Sequence, residues 1–485
     1  MNYFQNVEYD EMFGNDSGEN ERDQALKEYF VDLPDFKKFF NDKIELGIVR
    51  ARKGMGKSAM LKVLSLRRKE QAPDDLVIFT TGNELIGMGD FTGKSQAYLE
   101  NHWKQVICKR ICIEIGRRIN VALTDLEMSM VEAAELEGFK NLNLLSALTE
   151  RAGGMLQKML AAAGGANILE ATKKRGIINS EQALKSFQSK GERNVWVIID
   201  DIDAKYVDDD DNQQRVGAFF SALRSLAFNV SGLRVRASVR TDVWRNLRKM
   251  EDQDKIRQYV IDISWRDDAL RSIFARKILT YLKRERFLPA LQWDEVRNYD
   301  EIFDQVFYGK FSWSKRGTEP FIPLKFLAGG RPRWMGQLAK MAGAKAGTQR
   351  ISEANVYAAM QEFGQEKISD IQKEHSHQFA ALDKLIQSFR GGKREYNKYQ
   401  LLKLIKEKFA DKIVEVPPVN GFPYTDAEQL AEFLFEIDFL VAHRAGKTDF
   451  VTYNADPELF STEENSQNKI NWTVHSSYRN FLRIE

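Results

Sequence analysis

Ala51-Arg52-Lys53-Gly54-Met55-Gly56-Lys57-Ser58 sets two glycines, a lysine and a hydroxyl at the spacing that cradles a polyphosphate. Gly54 and Gly56 would let the backbone come close to the phosphates and aim successive N–H groups at them. Lys57 would place a point charge at the β- and γ-phosphates, and Ser58 would offer its hydroxyl to Mg²⁺. A helix beginning here adds its positive N-terminal dipole. The pattern is G-x-x-x-x-G-K-[ST] with Ala51 in place of the first glycine, a change that costs little where a positive φ is not required. Lys53, Gly54, Met55, Gly56, Lys57, Ser58 and Ala59 form the candidate nucleotide-binding set.

A nucleotide bound in such a loop needs acids at the end of another strand. Val195-Trp196-Val197-Ile198-Ile199-Asp200-Asp201 supplies them. Asp200 is the candidate to hold Mg²⁺ directly or through water. Asp201 is the candidate to orient and deprotonate an attacking water, with Asp203 behind it. Gly329-Gly330-Arg331-Pro332-Arg333 precedes a helical stretch, and an arginine there can reach phosphates from a second domain. Arg331 and Arg333 are therefore candidate phosphate sensors, with a plain helix-capping turn as the alternative.

These residues need a scaffold. Apolar runs at Ile44–Val49, Leu76–Thr81, Val195–Ile199, Leu233–Val239 and Tyr259–Ile263 read as strands, with helical patterns between them. That alternation predicts an α/β fold built on a parallel sheet. Leu26, Phe30, Leu33 and Phe36 give residues 22–42 helical spacing, and Ser58–Arg68 continues the phosphate loop as a helix. Residues 96–190 read as a large helical insertion with breaks at Gly153-Gly154 and Gly164-Gly165. After Trp265 the pattern is helical to about Glu374. Near the end, Phe439–Arg444 and Thr448–Tyr453 read as a hairpin turning at Ala445-Gly446-Lys447. The expected domains are an acidic lead and helix (1–42), a P-loop core (43–265), a helical lid (266–375) and an α+β end (376–485).

The segments GIVRARKGMGKSAM, VWVIIDDID, VRASVRTDVW, DISWRDDALRSIFARKI and GGRPRWMGQLAKMA occur in the order seen in prokaryotic AAA+/STAND-type P-loop ATPases, which the chain resembles over roughly residues 25–485. The tail NWTVHSSYRNFLRI resembles the end of a winged-helix domain. The resemblance implies a P-loop NTPase sheet with a helical lid and a winged-helix-like end, ATP and Mg²⁺ as cofactors, and a switch that oligomerises and works with a separate effector, as in antiviral defence operons. It also implies a γ-phosphate sensor at the end of the fourth strand, where Arg240 stands before Thr241 and Asp242; a basic edge strand is the alternative. Catalytic roles then fall to Asp201, Lys57, Arg240, Arg331 and Arg333. Arg117 and Arg118 are open as arginine fingers toward a neighbouring subunit.

Composition sets the outer limits. The 485 residues include 72 Lys+Arg and 70 Asp+Glu, so the net charge of +2 names no partner. Locally the charge is uneven. Residues 1–30 carry eight acids against Arg22 and Lys27, whereas Lys384, Arg390, Lys393, Arg394, Lys398, Lys403, Lys406 and Lys408 face three acids within 381–410. Such a basic block is a solvated face or a nucleic-acid surface, which keeps a DNA-dependent initiator or loader ATPase as the alternative function. A nucleotide-stabilised scaffold that hardly turns over is a third reading. No apolar run reaches the ~18 residues of a membrane span, and the first residues lack the pattern of a secretory signal. With Cys108 and Cys112 as the two cysteines, spaced for one helix face, a disulfide framework is excluded and a cytoplasmic location is expected. His375, His377, His443 and His475 form no metal-ligand pattern.

Overall fold

The five apolar runs assemble, in a computed structural model of the chain, into one five-stranded parallel sheet. The structure describes residues 8–484 except 19, 87–90, 120–124, 137–179, 189–193, 204–205, 248–252, 314–315 and 445–449. By contacts the chain divides into two compact units: residues 34–50 with 60–262, and residues 1–33 with 51–59 and 263–485. Most of the 96–190 insertion and the turn at 445–447 lie outside the described residues.

The first unit holds the sheet. Strands β1 (Leu46–Ala51), β2 (Leu76–Thr81), β3 (Val195–Asp200), β4 (Leu233–Arg240) and β5 (Val260–Asp262) take the order β2-β3-β4-β1-β5. Every residue of β3 is buried, as a central parallel strand covered on both faces requires. The helix Gln96–Arg118 buries Leu99, Trp103, Ile107, Ile111 and Ile115, one stripe at helical spacing. Trp103 Nε1 donates to Arg215 O at 3.0 Å on the helix Asp210–Asn229. Cys108 and Cys112 are buried on the same helix, and burial pushes both thiols up to about 12. They are therefore protonated core residues rather than a reactive pair.

One charge organises the edge of this unit. Arg236 on β4 is fully buried and donates to the carbonyls of Phe39 (2.7 Å), Val235 (2.8 Å), Asn41 (2.8 Å) and Ile44 (2.9 Å). Burial pulls its pKa down to about 9, and its guanidinium lies 5.0 Å from the Trp196 ring and 5.5 Å from the Phe39 ring. The loop 39–45 is thus pinned to the sheet by hydrogen bonds that a lysine could not make in that number. Gly47 leaves room for the pin, because a Cβ there would stand 2.9 Å from Arg236 Cδ.

The second unit is mainly helical. Helix α1 (Tyr9–Phe13) shares one apolar cluster with α3 (Asp267–Arg284), α4 (Pro332–Ala346) and α5 (Glu353–His375), and α2 (Asp23–Tyr29) buries Leu26. Pro332 sits at the first turn of α4, where its missing N–H costs nothing. A capping box of Ser352 and Asn355 starts α5. The C-terminal elements follow as α6 (Leu382–Gln387), β8 (Glu395–Tyr396), α7 (Lys398–Lys408), α8 (Ala427–Glu436), β9 (Leu440–Arg444), β10 (Ile470–Val474) and α9 (Ser476–Leu482), with the antiparallel order β8-β10-β9.

Three local expectations change. Residues 22–42 are not one helix: Phe30–Leu33 are non-helical before Pro34, and a separate short helix covers Phe36–Phe40. The lid segment contains an unexpected two-stranded hairpin, β6 (Phe311–Trp313) with β7 (Arg316–Thr318). The partner of β9 is β10 rather than 448–453, which contributes only the bridge Ala442–Val451 among the described residues.

His475 closes β10 and caps α9. Its Nδ1 accepts from Ser477 N at 3.3 Å, its ring stacks on Phe326 at 4.7 Å, and burial pulls its pKa down to about 4. An unfolded histidine titrates near 6.5, so the unfolded chain binds the extra proton between pH 6.5 and 4. Stability is thus full above pH 6.5 and falls toward pH 4 by about 1.4 kcal/mol per pH unit from this residue. Urea melts of wild type and His475→Gln across this range check it: the variant loses that part of the slope.

Candidate functional site

The phosphate loop leaves β1 at Ala51 and enters the helix Lys57–Gln71. Gly54 has φ +80° and Gly56 φ +97°, the left-handed conformation that glycine adopts without strain. Lys57 is buried, and its Nζ donates to Ala51 O at 3.0 Å and Arg52 O at 3.4 Å. Trp265 Nε1 donates to Met55 O at 2.9 Å, bracing the loop from the segment before α3. Gly18 comes so near Ala59 that a Cβ on it would be 2.8 Å from the alanine Cβ, so the N-terminal lead borders the start of the loop's helix.

Both candidate lid arginines reach this loop. Arg333 N donates to Gly54 O at 3.4 Å. Arg331 is 2 % exposed, and its Nη1 donates to Glu374 Oε2 at 2.8 Å and Lys53 O at 3.2 Å. Burial pulls the guanidinium down, but the Glu374 carboxylate outweighs it and leaves the Arg331 pKa raised. Glu374 also accepts Lys53 N at 3.1 Å through Oε1. One turn earlier on α5, Asp370 lies 4.0 Å from Lys53 Nζ and is held by Lys367 Nζ (3.0 Å) and Trp334 Nε1 (3.2 Å). Arg52 pairs with Asp438 and donates to Glu436 O (3.1 Å) and Asn454 Oδ1 (3.2 Å). The loop is therefore gripped by α4, by α5 and by the α8–β9 corner of its own unit.

The acids form a second group, within the sheet unit. Ile199 pairs with Ala237, so Asp200 falls beside Ser238. Asp200 is 1 % exposed; its Oδ1 accepts the Ser238 hydroxyl and Asp201 N (3.0 Å). Its Oδ2 is buried with no hydrogen-bond partner among the described residues, the disposition of a carboxylate oxygen that suits a cation or its water. Asp201 is exposed with φ +59°, and its N–H also donates to Ser238 Oγ at 3.2 Å. Asp203 is fully buried and accepts Arg240 N at 2.6 Å. The Arg240 guanidinium pairs with Asp242 at 2.5 Å. Gly82 permits the turn after β3, since a Cβ there would be 2.5 Å from Ile202 Cα. Arg117 lies 3.5 Å from Glu114, and Arg118 donates to Asp75 O at 3.3 Å.

Ser238, Glu374 and Asp438 were not singled out from the sequence. Ser238 was within reach, because pairing the two strands by their apolar alternation sets it beside Asp200. Glu374 and Asp438 carry no local signature.

No protein-family model and no curated protein matches the chain. Among solved structures it is similar to domain III of the Thermotoga maritima replication initiation protein DnaA (TM-score 0.33, 11 % identity, 70 % of this chain and 97 % of that one). It is also similar to the Aeropyrum pernix ORC2 protein in ADPNP–ADP complexes (TM-score 0.37, 11 % identity, 95 % and 93 %) and to C. elegans PCH-2 (TM-score 0.27, 13 % identity, 75 % and 74 %). All three TM-scores lie below 0.5.

Ser238→Ala removes both the donor to Asp200 and the acceptor for Asp201 N. Leaving buried polar groups unsatisfied costs about 1–3 kcal/mol. Urea unfolding of the variant reads this loss directly.

Proposed function

We propose that the chain is an ATP-binding and ATP-hydrolysing conformational switch of the AAA+/STAND kind. The observation that carries this is the grip on the phosphate loop: Lys53 and Arg52 are held by Glu374 and by Asp438, from elements more than three hundred residues away in sequence. A change in what the loop binds then alters how the lid and the C-terminal elements are held. In this reading Lys53 to Ala59 cradle the phosphates, and Ser58 and Asp200 hold Mg²⁺, which would neutralise phosphate charge. Asp201 positions the attacking water and takes its proton. Arg331 and Arg333 report the phosphates from the lid, and Arg240 does so from β4. The helix–strand–helix–helix–strand–strand order of the C-terminal elements supports a winged-helix-like unit. An oligomer, a separate effector and a role in antiviral defence follow from the family resemblance and belong to the same proposal.

The alternative is a DNA-dependent initiator or loader. Its support is the exposed basic set Lys384, Arg390, Lys393, Arg394, Lys403, Lys406 and Lys408. Against it stands α8, the third helix of the winged-helix-like order and the one expected to enter a groove. It carries Glu428, Glu432 and Glu436 and no Lys or Arg, which phosphates would repel. Reversing charge at Lys393, Arg394 and Lys398 decides: duplex binding that is strong, salt-dependent and lost in that variant favours the initiator.

For the ATPase, Asp201→Asn is expected to keep ATP binding and reduce turnover by about 10²–10⁴-fold, the usual contribution of a general base. Lys57→Ala is expected to weaken both. Equal steady-state turnover in wild type and Asp201→Asn would remove Asp201 from its role.

A further inference from the structure

Glu374 occupies an unusual place for a carboxylate. It is 1 % exposed and closes a ring of four groups: Lys53 N–H to Oε1, Arg331 Nη1 to Oε2, and the same Nη1 to Lys53 O. Two of these donors, a loop amide and the lid arginine, are those that the proposed function assigns to phosphate oxygens. A carboxylate and a phosphate oxygen ask the same thing of such donors, a charge-assisted hydrogen bond. The two anions also repel when they approach one cradle.

We propose that Glu374 is a specificity-determining residue that makes the gripped loop favour a nucleoside diphosphate over a triphosphate. Its carboxylate stands in for the terminal phosphate, which gains Lys53 N–H and Arg331 only when Glu374 gives them up. This rests on the loop being the nucleotide site. The surroundings fit an exchangeable contact. Glu374 lies in the last turn of α5, just before its final residue His375, whose Nδ1 lies 2.6 Å from Gln378 Oε1; Gln378 Nε2 in turn donates to Asn420 Oδ1 at 2.7 Å. Asp370, a turn back, is anchored to Lys367 and Trp334 and keeps the helix placed when its last turn shifts. Arg331 retains Lys53 O and the face of Trp334, 4.3 Å away, so it does not lose every partner with the carboxylate.

The test is equilibrium binding of fluorescent ADP and of a non-hydrolysable fluorescent ATP analogue, with Mg²⁺, to the full chain. Wild type is expected to favour the diphosphate. Glu374→Gln keeps the side-chain volume and removes the charge. It should tighten the triphosphate by about tenfold, the worth of one charge-assisted hydrogen bond, and change the diphosphate by no more than about twofold. Glu374→Gln combined with Arg331→Gln removes the buried pair together, guards against a fold defect in the single variant, and should abolish the discrimination. An unchanged ratio of the two affinities in a folded Glu374→Gln protein overturns the proposal and leaves the nucleotide site standing. Wild type that binds neither nucleotide, or binds both no better than Lys57→Ala, overturns the nucleotide site itself and the proposal with it.

Discussion

A loop whose backbone amides converge on an anion must be held open against its own carbonyls, and that requirement shapes the helical unit. Gly54 and Gly56 supply the left-handed turns, and Trp265 takes the Met55 carbonyl. Lys57 takes those of Ala51 and Arg52, while Arg331 takes that of Lys53. These ties hold most of the loop's acceptors, and Met55 N closes the one turn bond inside it, to Arg52 O at 3.4 Å. The ties come from the segment before α3, from α4 and from the loop's own lysine, so the loop's shape depends on elements spread along the whole chain.

The acids of the sheet unit obey a different rule. β3 is buried throughout, and its last residue, Asp200, is a carboxylate at 1 % exposure. A buried carboxylate is tolerated when hydrogen-bonded, and Ser238 with the Asp201 amide satisfies one oxygen. The chain then turns sharply at Asp201, whose positive φ carries its side chain out of the sheet to an exposed position. Aspartate is among the few side chains that accept this conformation readily. Adjacent acids thus acquire opposite environments, one buried and oriented and one exposed, which is what separate cation-holding and proton-accepting roles would need.

Legibility in the sequence followed the range of the interaction. The strands stood out because each is an apolar run bounded by turn residues, and the ladder positions agree with the runs to within two residues. The phosphate loop and the Asp200-Asp201 pair stood out because their chemistry is set by neighbours a few positions apart. Residues 22–42 misled because Leu26, Phe30, Leu33 and Phe36 keep an apolar spacing that suits a helix, yet Pro34 prevents one. The strand at 470–474 was hidden by polar residues, since Asn471 and Thr473 interrupt the apolar Ile470, Trp472 and Val474, although Thr473 is itself buried. Glu374 and Asp438 were invisible for a plainer reason. A single carboxylate at the end of a helix or before a strand is common, and only the tertiary fold brings it to the loop.

The two deeply buried arginines show how similar costs can serve different ends. Arg236 and Arg331 are both at or below 2 % exposure, and burial opposes the charge of each. Arg236 is satisfied by backbone carbonyls of its own strand and of the loop it pins, and burial dominates, so its pKa falls. Those acceptors cannot leave without unfolding the edge of the unit, so the contact is permanent. Arg331 is satisfied by a loop carbonyl, an aromatic face and one carboxylate on another helix, and that carboxylate more than offsets the burial. A side-chain acceptor can be replaced by another anion at the same donors with the backbone left intact. The chemical identity of the acceptor, rather than the depth of burial, therefore separates an arginine that fixes the fold from one able to exchange partners.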